Sequence, residues 1–257
     1  MKIQLLHSTI KNGQGSREQH LTCYLVDDFL AIDAGSLAIS INDFQRENVR
    51  NIIITHPHLD HIATLPIFID DLFETLREPV RIHATAEAIE VLEKNIFNWD
   101  VYPRFSELKN DFGKLIEYVP LKLREEFSIG HLKLKIIPVN HVIPTVGLII
   151  SDNKTTIGLS SDTCETVEFW DFLNLENNLD ALFVESSFPN ELHELAKTSF
   201  HLTPDELKKE LKKLKHKETQ IFAVHIKPSY FDQICNELKA LNLQNLSVMK
   251  AGKVYEF

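Results

Sequence analysis

The sequence predicts an α/β fold built as one large domain. Short apolar runs of strand length, such as Asn51-Ile52-Ile53-Ile54 and Leu182-Phe183-Val184, alternate with stretches whose apolar residues recur at helical spacing, such as residues 62–76 and 85–97. The 257 residues, 44% hydrophobic and 25% charged, have ordinary globular composition and enough length to bury a substantial core. No long linker, repeat or low-complexity segment divides them.

In order, residues 3–6, 22–26 and 29–32 read as strands. Asn12-Gly13-Gln14-Gly15-Ser16 between the first two reads as a flexible loop. It is a weak phosphate loop, since no helix follows and the Walker lysine is absent. Asp33-Ala34-Gly35-Ser36 closes the third strand, either as a plain turn or as a carboxylate placed to orient a ligand histidine. A strand at 80–83, a helix at 85–97 and strands at 115–119, 122–127, 132–139, 146–150 and 155–159 follow. Residues 97–105 pack four aromatics into nine positions, as core or as the wall of a ligand cleft.

The most informative stretch is Thr55-His56-Pro57-His58-Leu59-Asp60-His61, set between the strand 51–54 and the helix 62–76. Imidazole nitrogen and carboxylate oxygen are the usual protein ligands of Zn²⁺ and similar ions. In an extended segment alternate side chains share a face, so His56 and His58 can grip one ion. Asp60 and His61, where the chain turns into the helix, can reach a second. Four later apolar runs also end in polar residues: His141 after Val139-Asn140, Asp162 after Ser160-Ser161, Glu185 after Val184, and His225 after Val224. Singly each has a plain hydrogen-bonding explanation. Together they matter more, because functional groups on such folds gather at one edge of the sheet.

The charge of −10 disfavours a large polyanionic partner, whose binding rests on basic patches. The lysine-rich stretch 208–217 reads as a solvated helix face. Cys23, Cys164 and Cys235 are odd in number and far apart, which favours a reducing, cytoplasmic setting over a disulfide framework. The opening residues 1–7 are too short and interrupted for a signal peptide, and no apolar run has the length of a membrane span.

Asp33, the motif at His56–His61, His141, Asp162 and His225 occur in the order of the five motifs of the metallo-β-lactamase superfamily, which the chain resembles over nearly its whole length. The resemblance implies an αββα sandwich: two facing mixed β-sheets with helices on the outer faces. It implies that His56, His58 and His141 bind one metal ion. Asp60, His61 and His225 would bind a second, with Asp162 bridging and Asp33 supporting from behind. Glu185-Ser186-Ser187-Phe188-Pro189-Asn190-Glu191 and His201-Leu202-Thr203-Pro204 are similar to segments of the class II cyclic-nucleotide phosphodiesterases. Thr64 departs from the pattern of related phosphodiesterases and tRNA 3′-processing endonucleases, which tend to have a small Gly or Ser near this point.

The function this resemblance implies is hydrolysis of 3′,5′-cyclic nucleotides, cAMP or cGMP, to 5′-nucleotides. Two ions about 3.5–4 Å apart can share a hydroxide and clamp phosphoryl oxygens. Asp60, His201 and Glu185 are the candidate catalytic residues. His201 would donate the proton to the leaving ribose oxygen and Glu185 would orient it. Zn²⁺ is the first expectation, with Mn²⁺ and Fe²⁺ as alternatives. The expected partner is a small cyclic nucleotide, with neither membrane nor large nucleic acid; a homodimer stays open. The competing readings are a tRNA 3′-processing endonuclease, another metallo-β-lactamase-fold hydrolase acting on a thioester or lactam, and a non-catalytic metal-bound sensor or scaffold.

Overall fold

The strand Lys2–Leu5 alternates half-buried and buried residues, with Ile3 and Leu5 turned inward. It belongs to one of two seven-stranded mixed sheets in the computed structural model, which describes residues 1–257. The chain divides into two units, each centred on one sheet: Lys2–Lys122 with Ala251–Glu256, and Leu123–Lys250 with Met1 and Phe257.

The N-terminal unit's sheet runs in the order Ile116–Pro120, Val80–Ala84, Asn51–Ile53, Leu30–Ile32, Tyr24–Val26, Lys2–Leu5, Val254–Glu256. The four strands from Ile116–Pro120 to Leu30–Ile32 are mutually parallel, and the remaining pairings are antiparallel. Ile52, Ile54, Ile82, Phe68 and Leu92 join one buried cluster. Burial of each such side chain contributes roughly 1.5–3 kcal/mol relative to exposure.

Two expectations need correction here. The stretch 62–76 is not one helix but two short ones, Leu59–Ile62 and Leu65–Asp71. Thr64 makes the break: its buried hydroxyl donates to Ala34 O at 2.9 Å and accepts from Ala38 N at 3.0 Å, so it serves tertiary bonds across the fold. The loop 12–16 is the tip of a hairpin, Ile10–Lys11 paired with Gln14–Gly15. Asn12 and Gly13, both at positive φ, supply the mirror-image turn that matches strand twist. The core reading holds for three of the four aromatics of 97–105: the Phe105 ring lies 5.7 Å from those of both Phe97 and Tyr102, which packs against the same cluster. Phe97 and Phe105 enter the core, whereas Trp99 is 54% exposed and bonds Glu107 through its indole N–H.

The C-terminal unit's sheet runs Glu126–Ile129, Leu132–Val139, Thr145–Ser151, Thr156–Leu159, Ala181–Glu185, Gln220–Val224, Leu246–Val248. Its first four strands are antiparallel and its last four parallel. The expected strand at 122–127 begins only at Glu126, because Arg124 turns the chain with a φ of 69°. The helix Glu168–Leu173 lies against this sheet where it is thinnest: a Cβ at Gly147 or Gly158 would press into Phe169 or Leu173. The helix Pro204–Glu210 starts with a capping box in which Thr203 and Glu206 bond reciprocally, with Pro204 in its first turn.

His83, on Val80–Ala84, gives the fold a pH dependence. It is 6% exposed, its Nε2 bonds Asn51 Oδ1 at 2.9 Å, and its Nδ1 has no partner. Burial, with Arg81 adding, pushes its pKa down from 6.5 to about 4. The folded state therefore binds fewer protons than the unfolded one between these values. Stability is complete above pH 6.5 and falls as pH drops toward 4, by about 3 kcal/mol in all at 1.36 kcal/mol per pH unit. Urea unfolding at pH 7 and pH 5 should show His83→Gln losing about 2 kcal/mol less than the wild type over this interval. Equal losses would remove His83 as the cause.

Candidate active site

In the N-terminal unit the motif follows the strand Asn51–Ile53, and Asp33 organises it. Asp33 sits at a φ of 61°, in the left-handed region that aspartate tolerates better than most residues. Its carboxylate is 1% exposed and accepts from Thr55 N at 2.8 Å, Thr55 Oγ1 at 2.9 Å and His61 Nδ1 at 2.7 Å. Burial raises the Asp33 carboxyl above its ordinary value, against the pull of His61 and Thr55.

Hydrogen bonding sets the histidine tautomers. Thr55 gives its proton to Asp33, so Thr55 Oγ1 accepts from His56 Nδ1–H at 3.1 Å. His56 and His61 are thus both held through Nδ1, leaving Nε2 as the lone-pair nitrogen. His56 Nε2 lies 3.1 Å from His58 Nδ1. Two nitrogens bound at 2.0–2.1 Å to one tetrahedral ion sit about 3.3–3.4 Å apart, so this pair has the bite of a metal-binding couple. His58 precedes the helix Leu59–Ile62, with Asp60 in its first turn and 3.7 Å from His61 Nε2. Gly35 permits this closeness. Thr22 N donates to Asp60 O at 2.8 Å, and any Cβ at residue 35 would run into that carbonyl oxygen.

In the C-terminal unit, Thr156–Leu159, Ala181–Glu185 and Gln220–Val224 are parallel, so Asp162, Glu185 and His225 arrive at the same edge. Asp162, Glu185 and His201 bring carboxylate and imidazole atoms within 4.8 Å of one another. His141 follows Leu132–Val139, and its Nδ1 bonds Phe200 O at 3.0 Å, which again leaves Nε2 as the lone-pair nitrogen. Ser161, Phe200 and His225 all have φ between 55° and 57°. Such backbone costs energy and collects at functional sites.

Glu185, 0% exposed, is the hub of this edge. It accepts from Thr163 N at 2.9 Å, Leu202 N at 3.1 Å, Ser187 Oγ at 2.8 Å and His201 Nδ1 at 2.7 Å. With its proton on Glu185, Ser187 Oγ accepts from His225 Nδ1–H at 3.0 Å. His225 Nε2 then faces Asp162 Oδ1 at 3.5 Å. For His201, burial opposes the charged form, but the charge and hydrogen bond of Glu185, with Asp162 adding, outweigh it and raise the pKa.

Four histidines, His56, His61, His141 and His225, are therefore pinned at Nδ1 by oxygen. That is the arrangement by which proteins present Nε2 to a metal, and the donor set fits a divalent transition ion. Sequence reasoning missed Thr55, Ser187 and the Phe200 carbonyl. Ser187 had a signal, standing two residues after Glu185 in extended chain and so on the same face.

Residues 20–234 match the family model described as anti-Pycsar protein Apyc1, a span well beyond half of the chain. The chain belongs to the Apyc1 family. A Yersinia pestis relative, named a probable 3′,5′-cyclic-nucleotide phosphodiesterase, is 28% identical over 271 residues, covering 84% of this chain and 76% of its own. Among solved structures, unliganded yeast PDE1 superposes with a TM-score of 0.78 at 18% identity over 98% of both chains. The metallo-β-lactamase fold protein YhfI of Bacillus subtilis gives 0.75 at 15% identity over 99% of both. This Apyc1-family chain has the metallo-β-lactamase fold and is a hydrolase of that fold. No helix is long and apolar enough to cross a membrane.

Proposed function

We propose that this protein is a metal-dependent phosphodiesterase that opens 3′,5′-cyclic nucleotides to 5′-nucleotides. The observation that carries the reading is the Glu185–His201 pair, 2.7 Å apart and buried beside Asp162. A histidine whose pKa is raised by a buried carboxylate holds its proton more firmly than an ordinary imidazole, which suits a leaving group that cannot depart without a proton, and a ribose alkoxide is one. The name of the Yersinia pestis relative supports the same reading.

His56, His58 and His141 would hold one divalent ion, Asp60, His61 and His225 a second, and Asp162 both, with Zn²⁺ first and Mn²⁺ or Fe²⁺ as alternatives. Bound there, the ions supply a water nucleophile active at neutral pH and positive charge for the phosphoryl oxygens. The chain's own residues do the rest. Asp33, Thr55 and Ser187 fix ligand tautomers, Asp60 holds its place through Gly35's close packing, and Glu185 orients His201 toward proton donation.

The test is a panel assay of metal-supplemented protein on 3′,5′-cyclic nucleotides of all four bases, 2′,3′-cAMP, a pre-tRNA and a β-lactam. A 3′,5′-cyclic nucleotide should turn over fastest and yield the 5′-nucleotide. Its KM should change little between low and moderate salt, because one phosphate releases few counterions. Higher kcat/KM on the pre-tRNA would replace this reading with 3′-processing of tRNA. Turnover of none of the phosphodiesters would end it.

A further inference from the structure

We propose that Lys227 binds the substrate's phosphoryl group beside His201. This deepens, and rests on, the phosphodiesterase reading. Lys227 begins the turn after His225 and caps the short helix Pro228–Tyr230. Its backbone N–H donates to Ser187 O at 3.4 Å and its carbonyl accepts from Tyr230 N at 3.0 Å, so it is tied to the residue that bonds Glu185 and His225. Its ammonium stands over the Phe188 ring, 5.6 Å from the centroid. That ring meets His201 edge-on, with centroids 5.7 Å apart.

The placement is unusual in charge. Lys213, elsewhere in the same unit, is neutralised by Glu210 and Glu165. Lys227 makes no ion pair and no side-chain hydrogen bond, although acidic residues outnumber basic ones by 37 to 27 in this chain. The Phe188 face offers it a modest cation–π attraction and no counter-charge. Folding thus leaves a cation without a counter-charge on the same ring that meets His201. An anion bound at this edge would supply the missing counter-charge, and a phosphoryl group has the charge and the acceptor oxygens to do so. As a flexible point charge, lysine can follow the phosphorus from diester to the more negative monoester product.

The experiment uses full-length, metal-loaded protein. Wild type, Lys227→Met and Lys227→Arg are compared for kcat and KM on the best 3′,5′-cyclic nucleotide, and for Kd of the 5′-nucleotide by calorimetry. Met keeps an apolar stem on Phe188 and removes only the charge. A charged hydrogen bond of ordinary strength predicts that KM and product Kd rise about 10- to 100-fold in the Met variant. Arg should restore most of the loss, and kcat should stay within a few-fold throughout. Lys227→Gln gives an independent reading of the same loss should the Met variant fail to fold. Unchanged KM and Kd in a charge-free variant of an active enzyme, or a fall in kcat alone, would overturn the role of Lys227 and leave the phosphodiesterase reading standing. A wild type that hydrolyses no cyclic nucleotide would overturn both.

Discussion

Asp162→Ala is expected to lower bound metal by at least one equivalent and to bring hydrolysis to background. Asp162 is 2% exposed, at the edge where Glu185 and His225 also arrive. A buried carboxylate is costly unless cations or donors answer it. His225 Nε2 stands 3.5 Å away, and the charge of Asp162 helps keep His201 protonated. Alanine therefore removes a proposed ligand to both ions and part of the field on His201. Elemental analysis reads the first effect without reference to activity. Native protein purified without chelator and supplemented with Zn²⁺ or Mn²⁺ should hold two equivalents. Chelation should lower Tm and add-back should restore it, since an ion at 1,000 times its Kd stabilises the folded state by about 4.1 kcal/mol. Fewer than one equivalent in the supplemented native protein, or full metal content in Asp162→Ala, would sink the two-ion proposal.

What the sequence made legible follows from locality. Apolar runs that end in His, Asp or Glu mark strand ends, and parallel pairing then carries Asp162, Glu185 and His225 to one edge. The helix start at Thr203-Pro204 could be read because a capping box uses only neighbours in sequence. What escaped depends on distant partners. Thr64 breaks a helix because its hydroxyl serves Ala34 and Ala38, some thirty residues back. Ser187 links Glu185 to His225, a contact across 38 residues that no periodicity announces. The pair Phe97 and Phe105 went to the core while Trp99 stayed outside, because the chain folds back there with Trp99 at a φ of 73°. The Asn12-Gly13 hairpin was the avoidable miss, since its signal is local.

His201→Ala should lower kcat on a 3′,5′-cyclic nucleotide by about 10²–10⁴, the range for loss of an acid/base group. Metal content should not change, because His201 is proposed as a proton donor and not as a ligand. Its Nδ1–H is committed to Glu185 at 2.7 Å, so the proton to be given resides on Nε2. The direction of its pKa fixes the pH dependence. With Glu185 and Asp162 outweighing burial, the acid form persists above the ordinary histidine value. Activity that needs this acid is therefore present below the raised pKa and lost as pH rises through it. Glu185→Gln keeps the shape but removes the charge, so this limb should move to lower pH while the wild type holds on further into the alkaline range. The decisive comparison is a substrate whose leaving group needs no proton. On a nitrophenyl phosphodiester the His201→Ala defect should shrink by at least about tenfold relative to the cyclic nucleotide. Equal losses on both substrates would assign His201 to positioning or to metal binding. An accompanying loss of metal would choose between those two.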